Sequence, residues 1–515
     1  MEVIFSLILF LITTFLLLRH HSSTTKHKHH QRLPPTPPWL PIIGHLHFLG
    51  RLHHRSFHAL SLRYGPILRL RLGHLPVLLV SSPSTAQQCF TSNDIIFANR
   101  PRLLAGHHLG YNYTALPYLP YGPHCRTLRR VIANLALSSH QLQVTSHIRE
   151  QETTFMMKTI IDQITTKNVS VGQKSAMINL RTHLDQLMYN VIMRMINGKR
   201  WRDSGELFPL SSAMSTCDFL PELRWVFGLE EKVVKLRDRR DVLFQGIINE
   251  ARRGKGQGGG EGTMKTMVEG LLELQRKEPE YFTDDILKGI LLVMISAGTD
   301  TTARTIEWAM SVLLNHPHIL LKLRLEIDSI TTAAAATPRL LHDNDLPSLP
   351  YLRSVLTETL RLYPTAPLLV PHLSSSPSSI SGYHVDSNTI LLVNAWAIHR
   401  SEESWTDALV FRPERWNNEQ EDGELALASG FRYLPFGVGR RTCPGAGLAM
   451  RGMMLGLGRL VQGFEWERVG EELVSLEEAG GLVMAKKEPL VAVCTPRKVI
   501  SDLIFAELDL STSGL

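Results

Sequence analysis

The sequence predicts a mainly α fold with small β-sheets (α+β) behind a single N-terminal transmembrane helix. Three observations carry this. Residues 3–18 are almost wholly apolar. Beyond residue 45 most patterns have helical period, the longest an apolar run from Ile290 to Trp308. Only two stretches, Ile67–Val80 and Ile380–Val393, alternate or cluster as strands do. The chain divides into an anchor (1–20), a basic and proline-rich hinge (21–44) and one large globule (45–515).

The anchor is justified by length and flanks. Val3 to Leu18 spans roughly 24 Å as helix, slightly short of a hydrocarbon core. Arg19, Lys26, Lys28 and Arg32 follow it and can snorkel to cover the difference. Met1-Glu2 precedes it where a cleaved signal would have basic residues, and no small-x-small site follows. Positive charge on the C-terminal side leaves the bulk of the protein in the cytosol. Leu33-Pro-Pro-Thr-Pro-Pro-Trp-Leu-Pro41 packs five prolines into eight residues and must be extended. Two sequons, at Asn112 and Asn168, are expected to stay bare on that side of the membrane.

Composition excludes several classes. A net charge of +7 on 515 residues is a mild excess and gives no footprint for nucleic acid. The five cysteines (89, 125, 217, 443 and 494) are odd in number and scattered, which fits a reducing compartment rather than a disulfide framework. Arg253 to Gly262 is glycine-rich and Thr331–Thr337 holds four alanines; both read as surface loops.

Thr283-Asp-Asp starts a helix, with an N-cap hydroxyl and acids in its first turn, and His316-Pro317 stops it. Its middle, Ala297-Gly-Thr-Asp-Thr-Thr302, combines a glycine with hydroxyls that bond back to carbonyls, so the helix loosens there. A charged Asp300 in so apolar a run needs either a function or an ion-pair partner. Phe436-Gly-Val-Gly-Arg-Arg-Thr-Cys443-Pro-Gly445 places one cysteine in a glycine turn behind two arginines. Turn amides and arginine charge favour a thiolate, and a thiolate so held suits haem iron. No further Cys or His stands at zinc-site spacing.

The spacing F-x-x-G-x-R-x-C-x-G resembles that of the cytochromes P450, the haem-thiolate monooxygenases, and the likeness runs from about Leu33 to Arg497. It implies the cytochrome P450 fold, haem b on Cys443 as iron ligand, and Phe436 and Gly445 as fixed points of the haem loop. Ala297–Thr302 is similar to the family's oxygen-activation motif, which assigns Thr301 to bound oxygen and Asp300 to proton delivery. Glu358-Thr-Leu-Arg361 and Phe411-Arg-Pro-Glu-Arg415-Trp416 resemble the segments that form a buried Glu-Arg-Arg network, giving Glu358, Arg361 and Arg415 a structural role. Arg441, Arg129 and His372 are implied as haem-propionate contacts. Cys125 departs from the family, which has tryptophan there.

The ending Gly463-Phe-Glu-Trp-Glu-Arg and the Leu362–His372 segment are similar to plant microsomal enzymes of the group that includes isoflavone 2'-hydroxylase. That resemblance implies hydroxylation of a small apolar or phenolic specialised metabolite (isoflavone-, lignan- or xanthone-like, otherwise terpenoid or indole). O2 and NADPH would be co-substrates, with electrons from an NADPH-cytochrome reductase docked near Arg126, Arg130 and Arg440. The site would be the endoplasmic reticulum membrane, with lipid around residues 3–18. Tyr111, Tyr113, Tyr118 and Tyr121 fall in the segment that roofs the family's pocket; Phe219, Val293, Ala297, Leu368 and Leu482 are candidate lining residues. An O2-independent haem-thiolate isomerase or dehydratase, or a non-catalytic haem protein, is the competing expectation.

Overall fold

The computed structural model describes residues 32–168, 175–200, 216–221, 228–254, 265–333, 337–416, 430–498 and 503–504. The apolar anchor, residues 169–170 of the second sequon, the body of the glycine-rich loop and residues 334–336 lie outside them.

Helices form most of the framework, as the periodicity predicts. Those that position the site are α1 (Pro123–Ile132), α2 (Ser146–Asn168), α3 (Leu180–Asn197), α4 (Asp284–Gly298), α5 (Asp300–Asn315), α6 (Pro350–Leu362) and α7 (Ala446–Gly463). One continuous apolar cluster joins α3, α4, α5, α6 and α7, with Ile295, Ala303, Ile306, Leu455 and Leu460 fully buried in it. Glycines set the close approach of α7 to α5. A methyl group on Gly452 would lie 3.5 Å from Thr302 Cγ2, and one on Gly456 would meet Ile306 Cδ1 at 2.9 Å. The helix that follows the cysteine loop is thereby drawn against the helix carrying Thr301.

The strands are short and form three sheets. β1 (Ile67–Leu72), β2 (Leu75–Val80), β7 (Ile390–Val393) and β4 (His372–Leu373) make a four-stranded sheet in the order β1-β2-β7-β4. β1 and β2 form an antiparallel hairpin with Leu72 opposite Leu75, and β2 runs parallel to β7. β3 (Ala176–Asn179), β9 (Val491–Pro496) and β8 (Phe464–Glu467) make a second sheet, and β5 (Ser378–Ile380) with β6 (Tyr383–Val385) a third. The two strand-like stretches of the sequence thus resolve into five strands, split by turns at residues 73–74, 381–382 and 386–389.

The described part of the proline segment is extended, as proline requires, and is bonded along β1. Arg69 donates to Pro35 O at 2.9 Å and His45 to Arg71 O at 2.6 Å. Gly44 sits there at φ +61, where a Cβ would collide with Arg71 O. Two local expectations are corrected. Thr283 occupies the N-cap without a side-chain cap bond, while Asp284 of the first turn is held by Arg252 and Gln275. Residues 329–333 continue the preceding helix as a π-helical turn rather than opening into a loop.

Candidate functional site

The cysteine loop is built by its glycines. Gly437 and Gly439 adopt φ +65 and +74, in the left-handed region, and Cys443 N–H closes the loop on Phe436 O at 2.9 Å. Gly445 caps α7 and directs its backbone N–H at the Cys443 sulfur. Burial pushes the thiol up; the Gly445 amide and the charge of Arg129 oppose it without winning. The loop's own arginines contribute less than their position in the sequence suggests. Arg440 turns outward to Asp94 at 3.2 Å and Tyr121 Oη at 3.0 Å. A bound metal cation is what would complete the deprotonation of such a thiol. Cys443 presents accessible surface although its sulfur lies deep in the protein, so it faces an internal space.

The oxygen-side helix breaks where the sequence indicates. α4 ends at Gly298, Thr299 takes φ −91 and ψ −70, and α5 resumes at Asp300. Thr299 and Thr301 donate their hydroxyls back to Ile295 O at 2.8 Å and Ala297 O at 2.7 Å. Ala297 is exposed in the middle of this otherwise buried helix, which opens a groove beside Thr301. Asp300 has the ion-pair partner its burial demands: Arg304 Nε lies 3.0 Å from Oδ1. Desolvation raises the Asp300 carboxyl above the ordinary range, opposed by the charge of Arg181.

Arg441 leaves the cysteine loop toward three carbonyls and a thiol. It donates to Ala98 O at 2.6 Å, Leu116 O at 3.4 Å, Leu119 O, and Cys125 Sγ at 3.3 Å. Arg129 grips the loop itself through Thr442 O at 3.0 Å. His372 is buried, its Nδ1 2.8 Å from Phe97 O. Desolvation, then the charge of Arg100, drives its imidazole well below the ordinary value.

Arg100 belongs to this group, and the sequence reading missed it. It is buried, donates to Val370 O and Pro371 O at 2.8 and 2.7 Å, and leaves Nε with no partner. Burial and the charges of Arg441 and Arg129 push its guanidinium down to about 9. Asn99-Arg100-Pro101 gave no sign of this, since nothing local marks the arginine as buried. Among the described residues none of Arg100, Arg129 or Arg441 pairs with a carboxylate, so the cluster lacks anions. A haem fits: Cys443 would supply a sulfur ligand and Arg100, Arg441 and Arg129 the cations its propionates need, while His372, kept neutral by burial, would stand beside them without adding charge.

Glu358 is fully buried and saturated with donors. Arg361 holds it with two bonds at 2.8 and 2.9 Å, and Arg415 Nε lies at 2.9 Å. Trp416 Nε1 and the Arg412 N–H add bonds at 2.9 and 3.0 Å. Burial alone would raise this carboxyl; the hydrogen bonds and charge of Arg361, with the Arg412 N–H and the charge of Arg415, together outweigh it and hold it low. His399 links the network to the haem loop by accepting the Leu434 N–H at 2.7 Å while facing Arg361 O.

The roofing tyrosines take separate positions, although Tyr111 and Tyr118 both lie near Arg240. Tyr113 and Tyr118 pack their rings on Gly106 and Gly110, Tyr111 lies near Gly289 of α4, and Tyr121 sits beside Arg440. Tyr111, Asn112 and Tyr113 form a left-handed turn with φ 48, 52 and 63. Among the pocket candidates, Phe219 and Leu368 share the cluster under the β1–β2 hairpin, whereas Val293 belongs to the helical core.

The family profile described as Cytochrome P450 matches residues 34–493. The chain is 44% identical to cytochrome P450 81Q32 of Catharanthus roseus, covering 92% of this chain and 93% of the relative. It is 42% identical to an isoflavone 2'-hydroxylase of Glycyrrhiza echinata over the same shares of the two chains. A (+)-piperitol/(+)-sesamin synthase of Sesamum radiatum is 40% identical, covering 92% of each. Among solved structures, a zebrafish cytochrome P450 with abiraterone superposes with a TM-score of 0.69 at 24% identity, covering 86% of this chain and 99% of that one.

Proposed function

The chain belongs to the cytochrome P450 family and is a monooxygenase, and from that premise we propose that it inserts one oxygen atom of O2 into a ring C–H bond of a plant phenolic. The observation that carries this reading is the thiol of Cys443 under its Gly445 amide, on a loop whose following helix packs Gly452 against Thr302 of the broken helix; the cation cluster around Arg100 and Arg441 supports it. When bound, the haem supplies the redox centre at which O2 is activated.

The protein's own residues do the rest. Cys443 ligates iron through sulfur, and Gly445 N–H disperses its charge. Arg100, Arg441, Arg129 and His372 orient the macrocycle by its propionates. Thr301 offers a hydroxyl at the groove beside Ala297, and Asp300 brings protons there. A dry groove matters, because stray water and the protons it carries would let reducing equivalents from NADPH escape as peroxide.

The substrate class is an isoflavone-, lignan- or xanthone-like molecule; relatives named as an isoflavone 2'-hydroxylase and a (+)-piperitol/(+)-sesamin synthase support it. A terpenoid or indole is the runner-up. Electrons come from NADPH through a separate reductase, which docks on the exposed Arg126 and Arg130 and on Arg440. Residues 3–18 anchor the chain in the endoplasmic reticulum membrane, with the globule facing the cytosol.

Two measurements test this. Reduced holoprotein with carbon monoxide should show the red-shifted Soret band of an anionic sulfur ligand, and its absence overturns the assignment of Cys443. Microsomes carrying the protein and a reductase, incubated with a panel of plant phenolics and NADPH, should yield products 16 mass units heavier. Asn112 is exposed, so its glycosylation in cells would reverse the proposed orientation.

A further inference from the structure

Asp300 is one member of a cluster that spans from the oxygen groove to the protein surface. Arg304 spreads its guanidinium over three acids: Nε to Asp300 at 3.0 Å, Nη1 to Glu307 at 2.9 Å, and Nη2 to Asp185. Arg181 of α3 holds Glu307 with two bonds at 3.0 and 3.1 Å, and the Leu490 N–H adds a third at 2.9 Å. Glu307 is thereby fixed as the buried centre. Asp300 and Asp185 compete for what Arg304 has left.

The two outer acids are open to a similar degree, and the guanidinium between them is buried. The Asp185 side chain is 38% exposed, that of Asp300 34%, and that of Arg304 only 5%. Three carboxylates share two guanidiniums, so one negative charge is left over within hydrogen-bonding reach. The other groups facing Asp300 are Arg181 and Tyr189 of α3, the latter bonded to Thr299. Lys486, the next cation, is turned to Ser475 O. A cluster with one surplus negative charge, and with two of its acids about a third exposed, takes up one proton readily. Arg304 cannot carry that proton, since a guanidinium stays protonated. It can only hold or release the carboxylate that does.

We propose that Arg304 is the positioning residue of proton supply, bridging the groove acid Asp300 to the solvent-side acid Asp185 and setting when Asp300 is free to carry a proton inward. This rests on the monooxygenase reading with Asp300 as proton carrier. A proton from solvent water adds to the Asp300 carboxylate, whose ion pair with Arg304 then breaks. Asp185 and Glu307 retain the guanidinium meanwhile. The proton leaves on the Thr301 side, and the Asp300–Arg304 pair re-forms.

The experiment uses full-length holoprotein with reductase, NADPH and an unsubstituted isoflavone as probe, and reads the solvent isotope effect on NADPH oxidation in D2O. Arg304→Gln frees Asp300 and should cut that isotope effect by about half, while peroxide release rises. Asp185→Asn leaves Arg304 gripping Asp300 harder and should raise it about twofold. Arg304→Lys should fall between wild type and Gln. Opposite movement of the two variants supports the proposal, since damage to packing alone would not split them. Movement in one direction by both, or by neither, overturns it. Asp185 is surface-accessible, so its variant remains informative if Arg304→Gln does not fold. Asp300→Asn separates the underlying reading: no change there, with the thiolate Soret band intact, removes Asp300 as carrier and this proposal with it.

Discussion

The Arg441 guanidinium donates to the Cys125 sulfur at 3.3 Å, a contact between the haem loop and α1. By the family resemblance this position usually holds tryptophan, whose indole N–H reaches a haem propionate. A thiol is a weak donor and is spent here as an acceptor for Arg441. Arg100, buried and with Nε unpartnered, is the strong donor that remains nearby. Cys125→Ala removes one acceptor from Arg441 and leaves a small cavity, at a cost of about 1 kcal/mol. Haem transfer from that variant to a scavenging apoprotein should therefore run about fivefold faster. An unchanged transfer rate would show that the thiol does not hold the clamp.

Glu358 is fully buried, with Arg361, Arg415 and Trp416 all bonded to it. Removing one partner of such a pair leaves a buried charge uncompensated. Glu358→Gln, with two guanidiniums then unmatched, should lose about 3–5 kcal/mol and yield no haem-loaded protein. Trp416→Phe deletes a single charge-assisted bond and should cost about 1.5–3 kcal/mol with the Soret band retained. The Soret absorbance of the expressed proteins, and a urea melt of the Trp416→Phe holoprotein against wild type, distinguish the two outcomes.

His399 sets an acid limit on stability. Burial first, then the charges of Arg361 and Arg400, drive its imidazole down to about 3 from the ordinary 6.5. Between those values the unfolded chain binds a proton that the folded chain refuses. Stability is therefore full above pH 6.5 and falls on acidification, by about 2 kcal/mol at pH 5. His372, also driven low by burial, acts with the same sign. His399→Gln keeps an acceptor for Leu434 N–H and should flatten the melting temperature between pH 6.5 and 5. A slope identical to wild type there would clear His399 of the effect.

Gly439 sits at φ +74, and a Cβ on it would lie 2.5 Å from Asp94 Oδ1. Gly439→Ala must either strain the backbone or displace Asp94, which also holds Arg440. The expected loss is about 1–3 kcal/mol, seen as a smaller fraction of the carbon monoxide complex with a thiolate Soret band. Gly470, also at positive φ but with open space around it, serves as the control for backbone strain alone.

Much of this was legible in the chain because it is local. Proline density made residues 33–41 extended, the glycine-hydroxyl run broke the helix at Thr299, and the spacing around Cys443 announced a haem loop. Each depends on neighbours within a turn or two, where residue type dictates backbone conformation. The ion-pair partner of Asp300 was also within reach, since Arg304 follows four residues on. Burial and convergence over long separations were not legible. Arg100 meets Arg441 across more than three hundred residues, and Arg440 turns away from the cysteine it precedes. By itself the sequence determined the chemistry: a thiol in a glycine turn and an acid-hydroxyl pair in an apolar helix. Only the tertiary structure decided which charges face each other, because electrostatic strength depends on distance and desolvation, and packing alone sets both.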